Sequence, residues 1–260
     1  MKYIITFLIT VSFTTIAQEP ELEGYTSVYA NYTFCKLNDG ATFDDVRPFV
    51  GKYVENANSF ENEVDLAVLF PLYASDPDHD FFFVAHADSR EEMGAFNDKM
   101  FQIFAQSEDN AMPPMDCDVE LEAFQRVGPS SSDAAPQGRT IVNYWPCKYT
   151  RGFDRRAMRE ARRQAALKHY AAGAEGGYRY IMTNSGTDRE QDVDFWFSTS
   201  APSEAARGKN IDLWWSEIRN SDEWAEVRKH ASCQDSETVS YTHLRAHETG
   251  RNLVCRLLLE

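Results

Sequence analysis

Apolar and polar positions fall into short runs whose period switches between two and 3.6, with turn chemistry between them. Tyr25 to Cys35 is rich in β-branched and aromatic residues and predicts a strand. Thr42 caps a helix from about Phe43 to Ala57, with Pro48 in or near its first turn, where a missing N–H costs least. Val64 to Tyr73 is a strongly apolar strand, and Asp76-Pro77-Asp78-His79-Asp80 is a turn. Phe81 to Ala87 follows as a strand in which Phe81, Phe83 and Ala85 alternate with Phe82, Val84 and His86, so both of its faces carry apolar side chains. Ser89 caps a second helix, with Glu91 and Glu92 in its first turn and Met93, Phe96, Met100, Phe101 and Phe104 along one face. Val119 to Val127 closes a unit of order β-α-β-β-α-β.

The unit occurs twice. Asn31-Tyr32-x-x-Cys35-Lys36 returns as Asn143-Tyr144-x-x-Cys147-Lys148, Phe43-Asp44 as Phe153-Asp154, and Asp80-Phe81-x-Phe83 as Asp194-Phe195-x-Phe197. Ser89, Gly94 and Asp98 return as Ser203, Gly208 and Asp212, and Cys117 as Cys233. The order is kept while the offset drifts slightly, as small loop insertions produce, and each copy spans about 110 residues, an ordinary domain length. The predicted organisation is repeat 1 over 22–127, a Gly/Pro/Ser-rich linker over 128–138 and repeat 2 over 139–238.

This order is that of the ferredoxin-like fold, an α+β unit with both helices on one face of a four-stranded antiparallel sheet. The other face is left bare, and the second copy is its obvious cover. Two such domains packed sheet to sheet resemble the dimeric α+β barrel architecture, here within one chain. Each copy also resembles, in part, a family of uncharacterised exported bacterial proteins. The shared features are Cys35, Asn38-Asp39-Gly40, Pro71, Asp80 to Phe83, Glu92-Met93-Gly94 and Cys117. Repeat 2 departs from them at Met182-Thr183 and Ala206-Arg207-Gly208, and the resemblance implies no activity.

Both ends of the chain carry a message of their own. Residues 1–17 combine Lys2, an apolar run from Tyr3 to Ile16 and the small residues of Thr15-Ile16-Ala17, which predicts a secretory signal and a periplasmic or secreted protein. Residues 239–260 resemble a translated sequencing adapter: VSYTHLRAHET and NLVCRLLLE stand in the adapter order with an index-sized gap between them. Read so, repeat 2 lacks most of its fourth strand, and VSYTHL falls by chance beside the strand from Arg139 to Cys147. The genuine continuation is then expected to raise the melting temperature. Discounting Cys255 leaves four cysteines. In the ferredoxin-like sheet the end of the first strand faces the start of the fourth, so the expected disulfides are Cys35–Cys117 and Cys147–Cys233. The rival, a four-cysteine metal site, has no C-x-x-C pair behind it.

Composition then narrows the function classes. With 43% hydrophobic and 26% charged residues the chain is an ordinary globular protein, and its net charge of −15 disfavours nucleic acid as a partner. No apolar segment is long enough to hold the chain in a membrane after signal cleavage. None of the common phosphate-loop, dinucleotide, zinc-protease or hydrolase motifs is present, and neither a metal nor a cofactor is expected. His86, near the end of its strand and close to Asp88 and Glu91, is a candidate acid or base; its counterpart in repeat 2 is Ser200. Tyr144 and Trp196 are candidate ligand-pocket aromatics, and of the adjacent Trp214 and Trp215 one must face a partner, a ligand or solvent. Arg155, Arg159 and Arg162 form one helical stripe, either an anion site or a solvated face paired with the chain's own acids. No catalytic residue is assigned. Because no acid–base pair repeats between the copies, the expected function is a disulfide-stapled, non-catalytic exported module for an unknown small molecule or protein. The alternative is a cofactor-free oxygenase- or isomerase-like enzyme of the dimeric α+β barrel type. A buried site where His86 meets a second polar group favours the enzyme.

Overall fold

The structure, a computed structural model, describes residues 24–73, 79–106, 113–131, 139–185, 192–234 and 237–245. The predicted signal, the middle of the acidic turn after Tyr73, most of the linker and the chain beyond 245 lie outside these residues. In the first half the elements are β1 (Thr26–Leu37), α1 (Phe43–Asn58), β2 (Asp65–Tyr73), β3 (Phe81–Ala87), α2 (Arg90–Gln106) and β4 (Met115–Val127). The second half has β5 (Arg139–Tyr149), α3 (Arg155–Ala171), β6 (Tyr178–Ser185), β7 (Phe195–Ala201) and α4 (Glu204–Leu213). A π-helical turn at Trp214–Ile218 leads to α5 (Asp222–His230), β8 (Ala231–Cys233) and β9 (Glu237–Arg245). Pro48 sits one turn further into α1 than the sequence suggests.

The strands among the described residues belong to one sheet in the order β7-β6-β4-β1-β3-β2-β9-β5-β8, and β5 also pairs with β7. That extra pairing closes eight antiparallel staves into a barrel, with β8 continuing the edge of β5 beyond the end of β9. The halves are therefore joined through strand edges, β4 to β6 and β2 to β9. In each half of the circuit the strands follow one pattern, β4-β1-β3-β2 and β9-β5-β7-β6.

Period-two alternation separates an inner core from two outer ones. Inward lie Ala30 and Tyr32 of β1, Leu69 of β2, Phe82 and Val84 of β3, Val142 of β5 and Ile181 of β6. Outward, Val64, Leu66 and Ala87 meet Met93, Phe96 and Met100 of α2, and Val46 of α1 meets Cys35, Val68 and Phe81. In the second half Met158 and Ala161 of α3 and Val227 of α5 cover Tyr178, Tyr180, Phe195 and Phe197. Each large side chain so buried contributes about 1.5–3 kcal/mol, which makes both faces of the sheet strongly stabilising.

The recurring polar residues have a physical task in each half. The Asp80 N–H donates to the Cys35 carbonyl at 2.9 Å, and its carboxylate accepts from the Leu37 N–H at 2.7 Å. Asp194 makes the same two bonds, to the Cys147 carbonyl at 2.9 Å and from the Tyr149 N–H at 2.7 Å. The Ser89 hydroxyl accepts from the Glu92 N–H and that of Ser203 from the Ala206 N–H, both at 3.1 Å, each starting its helix. Asp80→Ala and Asp194→Ala are expected to destabilise by similar amounts, about 1–2 kcal/mol each by urea titration. A large effect at one site and none at the other would separate their roles.

Cys35 is bonded to Cys117 and Cys147 to Cys233, with Cα–Cα distances of 4.1 and 4.0 Å. Cys147 and Cys233 are direct partners between β5 and β8, whereas the β1–β4 register shifts between Phe34 and Lys36, beside Cys35. The segment that begins at Val239, expected beside the strand from Arg139 to Cys147, does pair with it as part of the stave β9. It lies between β5 and β2, with Val239 and Tyr241 buried in the inner core.

Candidate functional site

Within the mainly apolar inner core, four neighbouring staves bring a polar group to the same place. Ala30 of β1 stands opposite His86 of β3, Val28 of β1 opposite Gln125 of β4, and Val127 of β4 opposite Arg179 of β6. Long-range strand pairing thus assembles His86, Gln125 and Arg179 inside the barrel. Gln125 has no exposed surface and His86 retains 9%. The Arg179 Nη1 donates to Gln125 Oε1 at 2.8 Å and lies 3.0 Å from His86 Nε2. Gln125 Nε2 donates to the Tyr32 hydroxyl at 2.7 Å and lies 3.3 Å from the same His86 nitrogen.

These contacts fix the proton positions. A guanidinium only donates, so His86 Nε2 is the acceptor, and the neutral ring carries its proton on Nδ1. Gln125 must turn its oxygen to Arg179 and its amide nitrogen to Tyr32, as it does. Tyr32 is also hydrogen-bonded to Tyr144, and burial raises the pKa of both phenols, keeping them protonated at neutral pH. The cluster therefore combines a buried imidazole lone pair, a fixed cation and neutral hydroxyls.

Of the residues singled out by sequence, His86, Tyr144 and Trp196 face the barrel interior. His86 meets Gln125 and Arg179 from other strands, whereas the neighbouring Asp88 gives its N–H to Glu92. Ser200, its counterpart in β7, accepts from the Gly177 N–H. Arg155, Arg159 and Arg162 lie outside the barrel on α3, Arg155 exposed and the other two partly buried. Arg155 packs over Tyr149 and Phe153, Arg159 gives its carbonyl to the Tyr25 hydroxyl, and Arg162 packs over Phe197 and Trp224. Trp215 is 53% exposed and stacks under Arg219, while Trp214 turns to Trp224. Gln125, Arg179 and Tyr32 escaped the sequence reading. Their signal was strand parity, since Arg179 alternates with Tyr178 and Tyr180, which pack outward.

Among the described residues no group of His, Cys, Asp and Glu could hold a metal ion. Haem iron takes an axial ligand such as a free imidazole. Here His86 accepts from Arg179, His169 bonds the Asn210 carbonyl, and His230 bonds the Asp154 N–H and Glu226. His79 lies edge-on to Phe34 and Phe82, and the four described cysteines are in disulfides. The hydrogen bonds of His86, His169 and His230 and the two disulfides do not suit an axial ligand to iron, and the proposed chemistry uses none.

No protein family and no curated protein matches the chain. Solved structures of similar fold include a protein assigned as a chlorite dismutase, at TM-score 0.49 and 13% identity over 85% of this chain and 96% of that one. Another is the chlorite dismutase of Candidatus Nitrospira defluvii in complex with imidazole, at TM-score 0.48 and 10% identity over 83% and 90% of the two chains. A mutant of the same enzyme with cyanide gives 0.49 and 11% over 83% and 90%. These similar structures are enzymes by name, against the expectation of a non-catalytic binding module, which is withdrawn.

Proposed function

We propose that the chain is an enzyme of the dimeric α+β barrel type that removes a proton from an enolisable, oxygen-bearing substrate at the His86–Arg179 cluster. The observation that carries this reading is the 3.0 Å contact from Arg179 Nη1 to the His86 Nε2 lone pair inside an apolar barrel. A substrate carbonyl oxygen that takes the Arg179 hydrogen bond frees that lone pair. The substrate C–H bond then breaks, its proton forms the Nε2–H bond, and the electron pair moves to the oxygen as an enolate. Arg179, partly buried beside the apolar inner core, holds the oxyanion. Where the substrate is β,γ-unsaturated the product is a dienolate, and return of the proton to its γ carbon completes an isomerisation. With dioxygen as oxidant the same enolate begins a cofactor-free oxygenation.

The test is proton exchange. Incubation with a panel of enolisable keto acids in D2O, read by proton NMR, is expected to show loss of the acidic C–H signal with the unaltered protein. His86→Ala should slow it by about 100-fold or more, the usual contribution of a general base. Exchange that is equally fast in the variant, or absent across the panel, would refute the assignment.

The finer architecture is part of the same reading. The chain is two tandem ferredoxin-like units of an exported protein, related to the uncharacterised family its motifs resemble, with an adapter-derived tail. The matching strand patterns of the two halves and the paired bonds of Asp80 and Asp194 support the duplication. The two long-range disulfides suit an oxidising compartment. Every residue of the proposed cluster lies before position 239, while Tyr241 of β9 completes the inner core beside Tyr32.

A further inference from the structure

Arg162 lies outside the barrel, between α3 and the outer face of β6 and β7, and the proposed chemistry does not use it. Its guanidinium carbon stands 3.8 Å from the ring centre of Phe197, 4.3 Å from that of Trp224 and 5.9 Å from that of Tyr178. Stacking of this kind occupies the flat faces of the guanidinium and leaves its five N–H donors along the edge. Among the described residues none accepts from those donors, and the groups that act on the charge most strongly are Tyr180, Tyr178 and Tyr25. Arg163, the next residue, already has its carboxylate, Glu160 at 2.8 Å. A second donor lies close by. The Tyr180 hydroxyl is buried with no partner, and Arg162 is the strongest positive charge acting on it. The neighbouring hydroxyls bond elsewhere: Tyr178 and Tyr25 are engaged with one another at 2.8 Å and Tyr25 donates onward to the Arg159 carbonyl at 2.7 Å.

A partly buried guanidinium and a buried hydroxyl thus lie near one another with no acceptor among the described residues, in a chain whose acids outnumber its bases 41 to 26. Leaving the buried hydroxyl unsatisfied is costly, and a planar anion with two oxygens can meet it and the guanidinium edge at once. We propose that Arg162 and Tyr180 form a binding site for a small carboxylate, its oxygens bridging the guanidinium edge and the Tyr180 hydroxyl. Burial lowers the pKa of Arg162, and a bound anion counters that penalty. The site is separate from the His86 cluster and stands or falls without it.

The probes are acetate and trifluoroacetate. Replacing chloride by acetate at constant ionic strength is expected to raise the melting temperature of the full chain progressively. The trifluoroacetate fluorine signal should broaden with the protein and sharpen again when acetate is added. Arg162→Met, which keeps the stem between the rings, should weaken trifluoroacetate binding by at least about 10-fold, whereas Arg155→Met should leave it unchanged. Tyr180→Phe keeps the ring and removes only the hydroxyl, so it reports on the site if Arg162→Met fails to fold; it too should weaken binding. An unaltered chain indifferent to the exchange of chloride for acetate overturns the proposal, as does equal binding in the Arg162 and Tyr180 variants.

Discussion

A chain shortened to end at Thr238 is expected to melt roughly 10–20 °C below one that retains β9. The strand is hydrogen-bonded on both sides, to β5 from Tyr144 to Arg139 and to β2 from Tyr73 to Leu66. Its removal exposes two sheet edges and withdraws Val239 and Tyr241, 3% and 9% exposed, from the inner core. Those two side chains alone account for about 3–6 kcal/mol. Circular dichroism melts of the two chains decide the matter, and coincident curves would mean that β9 is not a structural stave. If the tail is adapter-derived, as proposed, the genuine continuation must place apolar side chains at 239 and 241. A chain carrying it should then melt above both others.

Loss of the disulfides should be comparably severe. Each joins cysteines more than 80 residues apart, with separations of 82 and 86, and the chain-entropy relation gives about 4–5 kcal/mol for each loop. Cys35 and Cys147 are also each 1% exposed within an outer core. Paired substitution of Cys35 and Cys117 by Ala should shift the urea midpoint of the whole protein. Replacing Cys147 and Cys233 should in addition free β8, which pairs with β5 through three residues alone. Hydrogen exchange would see that release as faster exchange at the end of α5. Mass spectrometry of an unreduced digest should recover Cys35–Cys117 and Cys147–Cys233 peptides; any peptide joining Cys35 to Cys147 would break the strand adjacency.

What the sequence disclosed, and what it hid, follows from the range of each interaction. Phe81 to His86 announced a strand with two apolar faces because the alternation is local, and the structure puts Phe82 and Val84 inside and Phe81 outside. The cysteine pairing could be derived because one strand adjacency suffices to choose among the three pairings. The His86 cluster could not. Gln125 and Arg179 stand in strands from opposite halves, and a polar residue in a strand carries the same pattern whether it faces water or an interior. Arg162 was hidden for the converse reason: its helical position groups it with Arg155, while the aromatic floor of Phe197 and Trp224 that captures it comes from β7 and α5. Only the β5 side of β9 was legible; its pairing with β2 depends on the whole barrel closing.

The seam between β2 and β9 has a consequence for how the molecule is made. It pairs Leu66 with Arg245, so the last stave cannot be set until almost all of the described chain has been synthesised. Until then β1, β2 and β3 present Tyr32, Leu69 and Phe82 on an uncovered apolar surface. Pairings of such long separation form slowly, and intermediates with an exposed sheet face are prone to associate. The yield of folded protein should therefore fall with concentration during refolding, in proportion to the time the first half waits for its other wall.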